Sequence, residues 1–420
     1  MESIKIKRSS LSGEVAIPPS KSQTMRALAF ALLAKGPCVV YNPLSSPDTD
    51  AMIRASRLLG AKVDCFSDRI EVHGSLRPAE DVIDCGNSGL VLRFIGAIAS
   101  LLPTHTILTG DLSIRHRRHI QPLLEGINQL GGWAVSSRGD GHAPIIIRGP
   151  LKGGQAYISG EDSQPVSGLL IASCFAPDKT ELFVKDPGEK PWVSLTLSWL
   201  DRFNIPYKNH HFSHYEIAGN ASIPGFTYKV PGDWSSALYP IAAALVTNSE
   251  ITIHGVDFND AQGDKEVVTL LQEMGAKISV HKDSVTIHAG SSLRGAQIDI
   301  GRFIDAITLL PVLACQATGP TQIYGGMIAR AKESDRIQAI VSELKKMGAR
   351  IEETSDGMIV HPSELQGASV TCFEDHRMAL SLSIAGLMAH GSTEIAGIEC
   401  AKKSFPGYFE MLRKLGAAIE

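Results

Sequence analysis

SRLLGAKV, residues 56–63, ends a helical stretch on Leu-Gly-Ala and passes straight into a short strand. The same kind of ending stands in INQLGGWAV (127–135), LQEMGAKISV (271–280), LKKMGARIEE (344–353) and LRKLGAAIE (412–420). A weaker copy, DRFNIPYK (201–208), carries Asn204 where the others carry Gly60, Gly131, Gly275, Gly348 and Gly416. These six positions follow one another at intervals of about seventy residues. Gly or Asn suits the left-handed residue that closes a helix. One such match is commonplace, whereas six in register specify a repeat architecture.

A second series interleaves with the first. SKSQTMRALAFALLAKG (20–36), GNSGLVLRFIGAIAS (86–100), EDSQPVSGLLIASCFA (161–176), GDWSSALYPIAAALV (232–246), FIDAITLLPVLACQATG (303–319) and EDHRMALSLSIAGLMA (374–389) each open on a polar cluster and turn apolar nearly all round. That pattern predicts six buried helices, capped by the Ser, Asp and Asn residues at their starts. Each repeat then holds a buried helix, an amphipathic helix and several short strands, a βαβαββ unit of an α/β protein. The 420 residues are too many for a single core, so six units divide most simply into two domains of three.

A net charge of −4 argues against nucleic acid as a ligand, because phosphate-backbone binders carry a basic excess. The seven cysteines are scattered without a CxxC, which reads as reduced thiols in a reducing compartment. None of the 14 histidines falls in a zinc pattern, so neither metal nor cofactor is expected. The N-terminal MESIKIKRSSLSGEV alternates like a strand and has no apolar signal core. Apolar runs such as 378–389 are far short of a membrane span. The expectation is a cytoplasmic protein without a membrane partner, and a monomer.

The helix starts carry an oddity. Cations in a first turn oppose the helix dipole, yet Lys21, Arg26, Arg93 and Arg377 sit there. Capping accounts for the Ser and Asp residues and not for these. If the three buried helices of each domain aim their N-termini at an interdomain cleft, that cleft attracts small anions.

Eleven strings run in one order: PPSKSQTMRAL, CGNSGLVLRF, LTGDLSIRHRR, EDSQPVSGLL, GEKPWVSLTL, VPGDWSSA, QGDKEV, FIDAITLLPVLA, ARAKESDRI, EDHRMALSLSIAG and KKSFPGYF. As an ordered set they resemble the 5-enolpyruvylshikimate-3-phosphate synthases of the enolpyruvyl transferase family. The resemblance implies two inside-out α/β barrels with buried parallel helices around an interdomain cleft. The chain would cross between halves near Pro19 and Ser20 and again near Pro231 and Gly232. Residues 20–231 would form the domain largely on the shikimate 3-phosphate side. Residues 1–19 and 232–420 would form a discontinuous domain, largely acid/base and phosphoenolpyruvate. Substrate is expected to draw the halves together. The implied reaction moves the enolpyruvyl group of phosphoenolpyruvate to the 5-hydroxyl of shikimate 3-phosphate and releases phosphate by addition and elimination.

Two phosphates and two carboxylates in one cleft demand converging cations. The resemblance places Lys21 in catalysis and on both substrates, and Ser22 and Arg26 on shikimate 3-phosphate. Gly89 would lie against phosphoenolpyruvate, whose carboxylate Arg336 and Arg377 would grip with planar forks. Lys403 would meet its phosphate. Ser163 and Gln164 would belong to the shikimate-phosphate site, Gln164 also reaching phosphoenolpyruvate, and Lys332 would approach the reacting hydroxyl. Asp305 would accept the hydroxyl proton, and Glu333 would shuttle a proton at the methylene carbon. A neighbouring lysine such as Lys332 would hold Glu333 ionised.

The chain departs from the family pattern in places. GDLSIRHRRHIQPL (110–123) is one residue longer than the usual GDxSLxxRPM spacing. Counting from Gly110 selects Arg117 for phosphoenolpyruvate; counting back from Ile120 and Pro122, the denser anchors, selects Arg118. Asp162 and Glu189 replace serines, Trp192 a tyrosine, Ile328 an asparagine and Leu90 a threonine. Asp162 puts a carboxylate near an expected phosphate unless it caps its helix and faces away. The sister transferase acting on UDP-N-acetylglucosamine would carry a reactive cysteine in a Gly/Cys/Arg-rich loop, and no such segment occurs.

Overall fold

The computed structural model describes residues 2–420. Two compact units divide the chain: Pro19–Val230, and Pro231–Glu420 together with the chain up to Pro18.

The Pro19–Val230 unit repeats one sheet plan three times. Strand Gly154–Ser159 pairs parallel with Thr180–Lys185, which pairs antiparallel with His214–Ile217, itself antiparallel to Tyr207–His210. Ile83–Asp84, His105–Thr109, Ile145–Arg148 and Trp133–Ser136 follow the same order. The first repeat borrows its parallel partner from the end of the unit, Thr227–Lys229 beside Pro37–Tyr41.

The other unit borrows in the same way at the N-terminus. Strand Ser12–Ala16 lies parallel to Glu250–His254, and Ser3–Lys7 lies antiparallel to Ser392–Ala396. Its last repeat ends as a single bridge between Ile6 and Ile419. The strand after LRKLG is thus reduced to the last three residues, where Ala418 and Glu420 share backbone hydrogen bonds with Lys7 and Lys5 of Ser3–Lys7.

Five of the six apolar segments form the expected buried helices: Lys21–Leu33, Gly89–Ala99, Ser163–Phe175, Trp234–Val246 and His376–Met388. Ser20, Ser88, Asp162, Asp233 and Asp375 each accept a hydrogen bond from a first-turn amide. With helices inside and sheets outside, each unit has the inside-out α/β arrangement. All six helix-closing positions are left-handed, the five glycines at φ of 87–109° and Asn204 at 52°.

The segment at 303–319 corrects the expectation of six helices. It is a 3-10 turn, Ile304–Thr308, followed by a short helix, Leu310–Ala314. Pro311 has no amide to donate to the carbonyl of Ile307, and its ring crowds that carbonyl. β-Branched Ile307 and Thr308 add χ1 crowding. The interruption leaves Asp305 on a tight turn. Among the described residues no helix is long and apolar enough to cross a membrane.

Candidate active site

Two arginines, a lysine and three carboxylates converge in the unit that holds Pro231–Glu420. Arg336 opens the helix Arg336–Lys346, and Arg377 lies in the first turn of His376–Met388. Arg336 Nη1 donates to Asp305 Oδ1 at 2.9 Å, and Arg377 Nη2 donates to Asp305 Oδ2 at 2.8 Å. One carboxylate is therefore held at both oxygens by two guanidiniums. Glu333 sits alongside, accepting from Arg336 Nη2 and from Lys403 Nζ, both at 2.8 Å.

Behind them Asp375 organises the cluster. It accepts from Arg336 Nε at 2.8 Å and Nη2 at 3.3 Å, from Ser334 Oγ at 3.0 Å and from its own helix at the Arg377 amide at 2.9 Å. Asp375 is fully buried, as is His376 beside it. Lys332 is also buried, next to Glu333 in sequence, but the cations bonded to Glu333 in the contacts above are Arg336 and Lys403.

Burial alone would weaken the Arg336 charge, but Asp375, Glu333 and Asp305 outweigh it and hold the guanidinium well above its ordinary pKa. Arg377 behaves alike: burial lowers it, and Asp305 leads the groups that raise it further. Burial pushes the Asp264 carboxyl far up, and the charges of Asp305 and Asp233 add to the shift while Arg377 opposes it. Burial raises the Tyr239 phenol, and the nearby charge of Arg377 opposes the shift.

The Pro19–Val230 unit assembles a second group. A Cβ on Gly89 would stand 3.0 Å from both Arg93 Nη1 and Gln164 Oε1, and 3.7 Å from Arg118 Cζ. Gly89, Gln164 and Arg118 are thus brought together, with Arg93 as a fourth member. Arg118 is 4% exposed, whereas Arg117 is exposed. Asp162 does two jobs: Oδ1 caps its helix at the Gln164 amide (3.0 Å), and Oδ2 meets Arg93 Nη2 at 3.1 Å.

The departures from the family pattern have definite places. Glu189 Oε2 accepts from both the amide (3.0 Å) and the hydroxyl (2.8 Å) of Ser163. Arg26 is buried, donating to Thr196 Oγ1 at 2.9 Å, to the Ser22 carbonyl at 3.1 Å and to the Trp192 carbonyl at 2.8 Å. Trp192 thus contributes through its backbone, where no side-chain hydroxyl is needed. Lys21 Nζ lies 3.7 Å from Asp48 Oδ2.

Sequence reasoning left Asp375, His376, Asp264 and Tyr239 out of the site and named Arg93 only among the cations at the helix starts. Asp375 and Asp264 stand inside recognised strings, EDHRMAL and QGDKEV. The capping role of Asp375 was readable, but its hold on an arginine 39 residues earlier was not.

Comparisons with known proteins agree over the whole chain. The family described as EPSP synthase (3-phosphoshikimate 1-carboxyvinyltransferase) matches residues 6–412. A 3-phosphoshikimate 1-carboxyvinyltransferase of Chlamydia caviae is 41% identical over 425 residues, covering 100% of this chain and 95% of its own. That of Acetivibrio thermocellus is 40% identical, covering 99% of each. A solved EPSP synthase structure from Acinetobacter baumannii superposes with a TM-score of 0.85 at 26% identity, covering 100% of this chain and 99% of that one.

Proposed function

The chain belongs to the EPSP synthase family, and we propose that it transfers the enolpyruvyl group of phosphoenolpyruvate to the 5-hydroxyl of shikimate 3-phosphate with Asp305 and Glu333 as its acid–base pair. The observation that carries this reading is the carboxylate seat. Arg336 and Arg377 already grip a carboxylate, that of Asp305, one guanidinium to each oxygen. The carboxylate of phosphoenolpyruvate fits the same fork.

Binding and activation then become one event. A substrate carboxylate that takes over Arg336 and Arg377 releases Asp305 as a free base. A substrate phosphate that takes Lys403 removes one of the cations on Glu333. That loss raises the affinity of Glu333 for a proton, which an acid at carbon requires. Asp375 stays on Arg336 and keeps the fork oriented.

Asp305 accepts the 5-hydroxyl proton as the oxygen bonds to C2 of phosphoenolpyruvate, and a proton carried by Glu333 adds to C3. In the tetrahedral adduct Glu333 takes a proton back from the new methyl group. The C2–O bond to phosphate breaks, and the hydroxyl proton leaves with inorganic phosphate. We assign Lys21, Gly89, Arg118 (Arg117 the alternative) and Gln164 to phosphoenolpyruvate. Lys21, Ser22, Arg26, Ser163, Gln164, Asp305 and Lys332 are assigned to shikimate 3-phosphate.

Phosphate release by the purified protein with phosphoenolpyruvate and shikimate 3-phosphate tests the reading. We expect turnover with this pair alone. Release with UDP-N-acetylglucosamine in place of shikimate 3-phosphate would move the assignment to the sister transferase.

A further inference from the structure

Two cysteines that the mechanism does not use meet beside the anion cluster. Cys372 follows strand Ser369–Thr371 and shortly precedes Asp375 and Arg377. Cys400 lies in the 3-10 turn Ile398–Lys403, which ends on Lys403. The parallel pairing of Thr371 with Ala396 brings the two segments into register. The Cys372 amide donates to the Ala396 carbonyl at 3.1 Å, and the Cys400 thiol donates to the Gly397 carbonyl at 3.1 Å. The Cβ of Cys372 lies 3.8 Å from where a Cβ on Gly397 would stand. The two thiols are unlinked and both stand against Gly397, Cys372 buried and Cys400 half-buried.

We propose that Cys372 and Cys400 are a reversible disulfide site, tying the segment that carries Asp375 and Arg377 to the turn that carries Lys403. The oxidant class is a peroxide. The Cys400 thiolate attacks a peroxide oxygen, giving a sulfenic acid and one water. The Cys372 sulfur then attacks the sulfenic sulfur; the S–S bond forms and a second water leaves. Two thiols lose two electrons and two protons, and one hydrogen peroxide becomes two waters. The order follows exposure, since Cys400 reaches solvent and Cys372 does not.

Closure draws the sulfurs to about 2.05 Å and pulls the Lys403 turn towards the Asp375 segment. The bond from Lys403 to Glu333 is then displaced. This consequence rests on the function proposed above: oxidation raises the KM for phosphoenolpyruvate severalfold and leaves that for shikimate 3-phosphate nearly unchanged.

The test uses the full chain carrying Cys65→Ser, which removes the exposed thiol. The reduced protein is treated with hydrogen peroxide, alkylated and mapped by mass spectrometry, with kinetics before and after dithiothreitol. We expect a linked peptide pair containing Cys372 and Cys400 that dithiothreitol dissolves, and a phosphoenolpyruvate KM that rises and recovers. Adding Cys372→Ser should abolish the link and send Cys400 on to sulfinic acid. Alkylated, unlinked Cys372 beside an oxidised Cys400 in the parent would overturn the proposal. A link without a change in KM would overturn its coupling to the anion cluster. Absence of phosphate release from the reduced protein would refute the functional reading alone, because the peptide map decides the disulfide independently.

Discussion

Replacing Arg377 by lysine keeps a cation and removes the fork. Arg377 Nη2 donates to Asp305 Oδ2 at 2.8 Å while Nη1 reaches the Ser235 carbonyl at 3.3 Å. A lysine has one nitrogen and a shorter reach, so it cannot serve both. Losing one hydrogen bond between charged groups removes about 1.5–3 kcal/mol. At about 1.4 kcal/mol per tenfold, the KM for phosphoenolpyruvate should rise about ten- to a hundredfold. The retained charge spares the larger cost of leaving Asp305 short of a buried counter-ion, so the urea midpoint should move little. Phosphate release is measured against each substrate with the other saturating. A folded Arg377→Lys enzyme whose larger KM change falls on shikimate 3-phosphate, or on neither substrate, would refute the carboxylate seat.

Gly89→Ala places a methyl 3.0 Å from Arg93 Nη1 and Gln164 Oε1, both ends of flexible side chains. The fold should survive with a nearly unchanged Tm while the KM for phosphoenolpyruvate rises severalfold; a collapse in Tm would show the contact to be structural. Glu189→Ser frees the amide and hydroxyl of Ser163 and should lower the KM for shikimate 3-phosphate. A higher value would mean that Glu189 holds Ser163 in place instead of competing with substrate. Burial and its anionic neighbours raise the folded pKa of Asp264 above the unfolded value. Its contribution to stability is therefore complete below the unfolded pKa and lost as pH rises through the folded one. Asp264→Asn removes that loss, so its urea midpoint should gain on the parent with rising pH, and the opposite trend would sink the assignment.

The repeat was legible because two local rules marked every copy. A left-handed residue must close each amphipathic helix, and a polar cap must open each buried one. Asn204 could be placed in a degenerate copy because it meets the same backbone demand as the glycines. The fifth buried segment misled because apolar content alone does not make a helix, and Pro311 had already broken the hydrogen-bond ladder. Charge partners were the least legible feature. Glu189 lies 26 residues from Ser163 and Asp162 lies 69 from Arg93. Nothing local in a sequence says which oxygen will fill which donor. Asp162 looked unfavourable in the string EDSQ, but Arg93 neutralises it and the Gln164 amide uses its other oxygen.

These pairings share one physical origin. Cations meant for a substrate must first fold into a buried site without it, and a buried charge lacking a counter-ion is strongly destabilising. The chain supplies its own anions: Asp305 across the arginine fork and Glu333 on Lys403. Substrate binding is then an exchange of one anion for another, and its gain is smaller than the bare Coulomb attraction. The carboxylates differ in their freedom to leave. The Asp305 side chain is 21% exposed and can rotate away, whereas that of Asp375 is 0% exposed and anchored by four donors. Neutralising each should therefore have distinct signatures. Asp375→Asn breaks a buried pair and should lose about 3–5 kcal/mol of folding stability. Asp305→Asn leaves the buried Arg377 without that ion pair and should also lose stability, though less than Asp375→Asn because its side chain is partly solvated. Its larger effect should be on turnover, a loss of about a hundredfold or more, the share of a general base. If Asp305→Asn proved the less stable of the two, the distinction between an exchangeable anion and a structural one would fail.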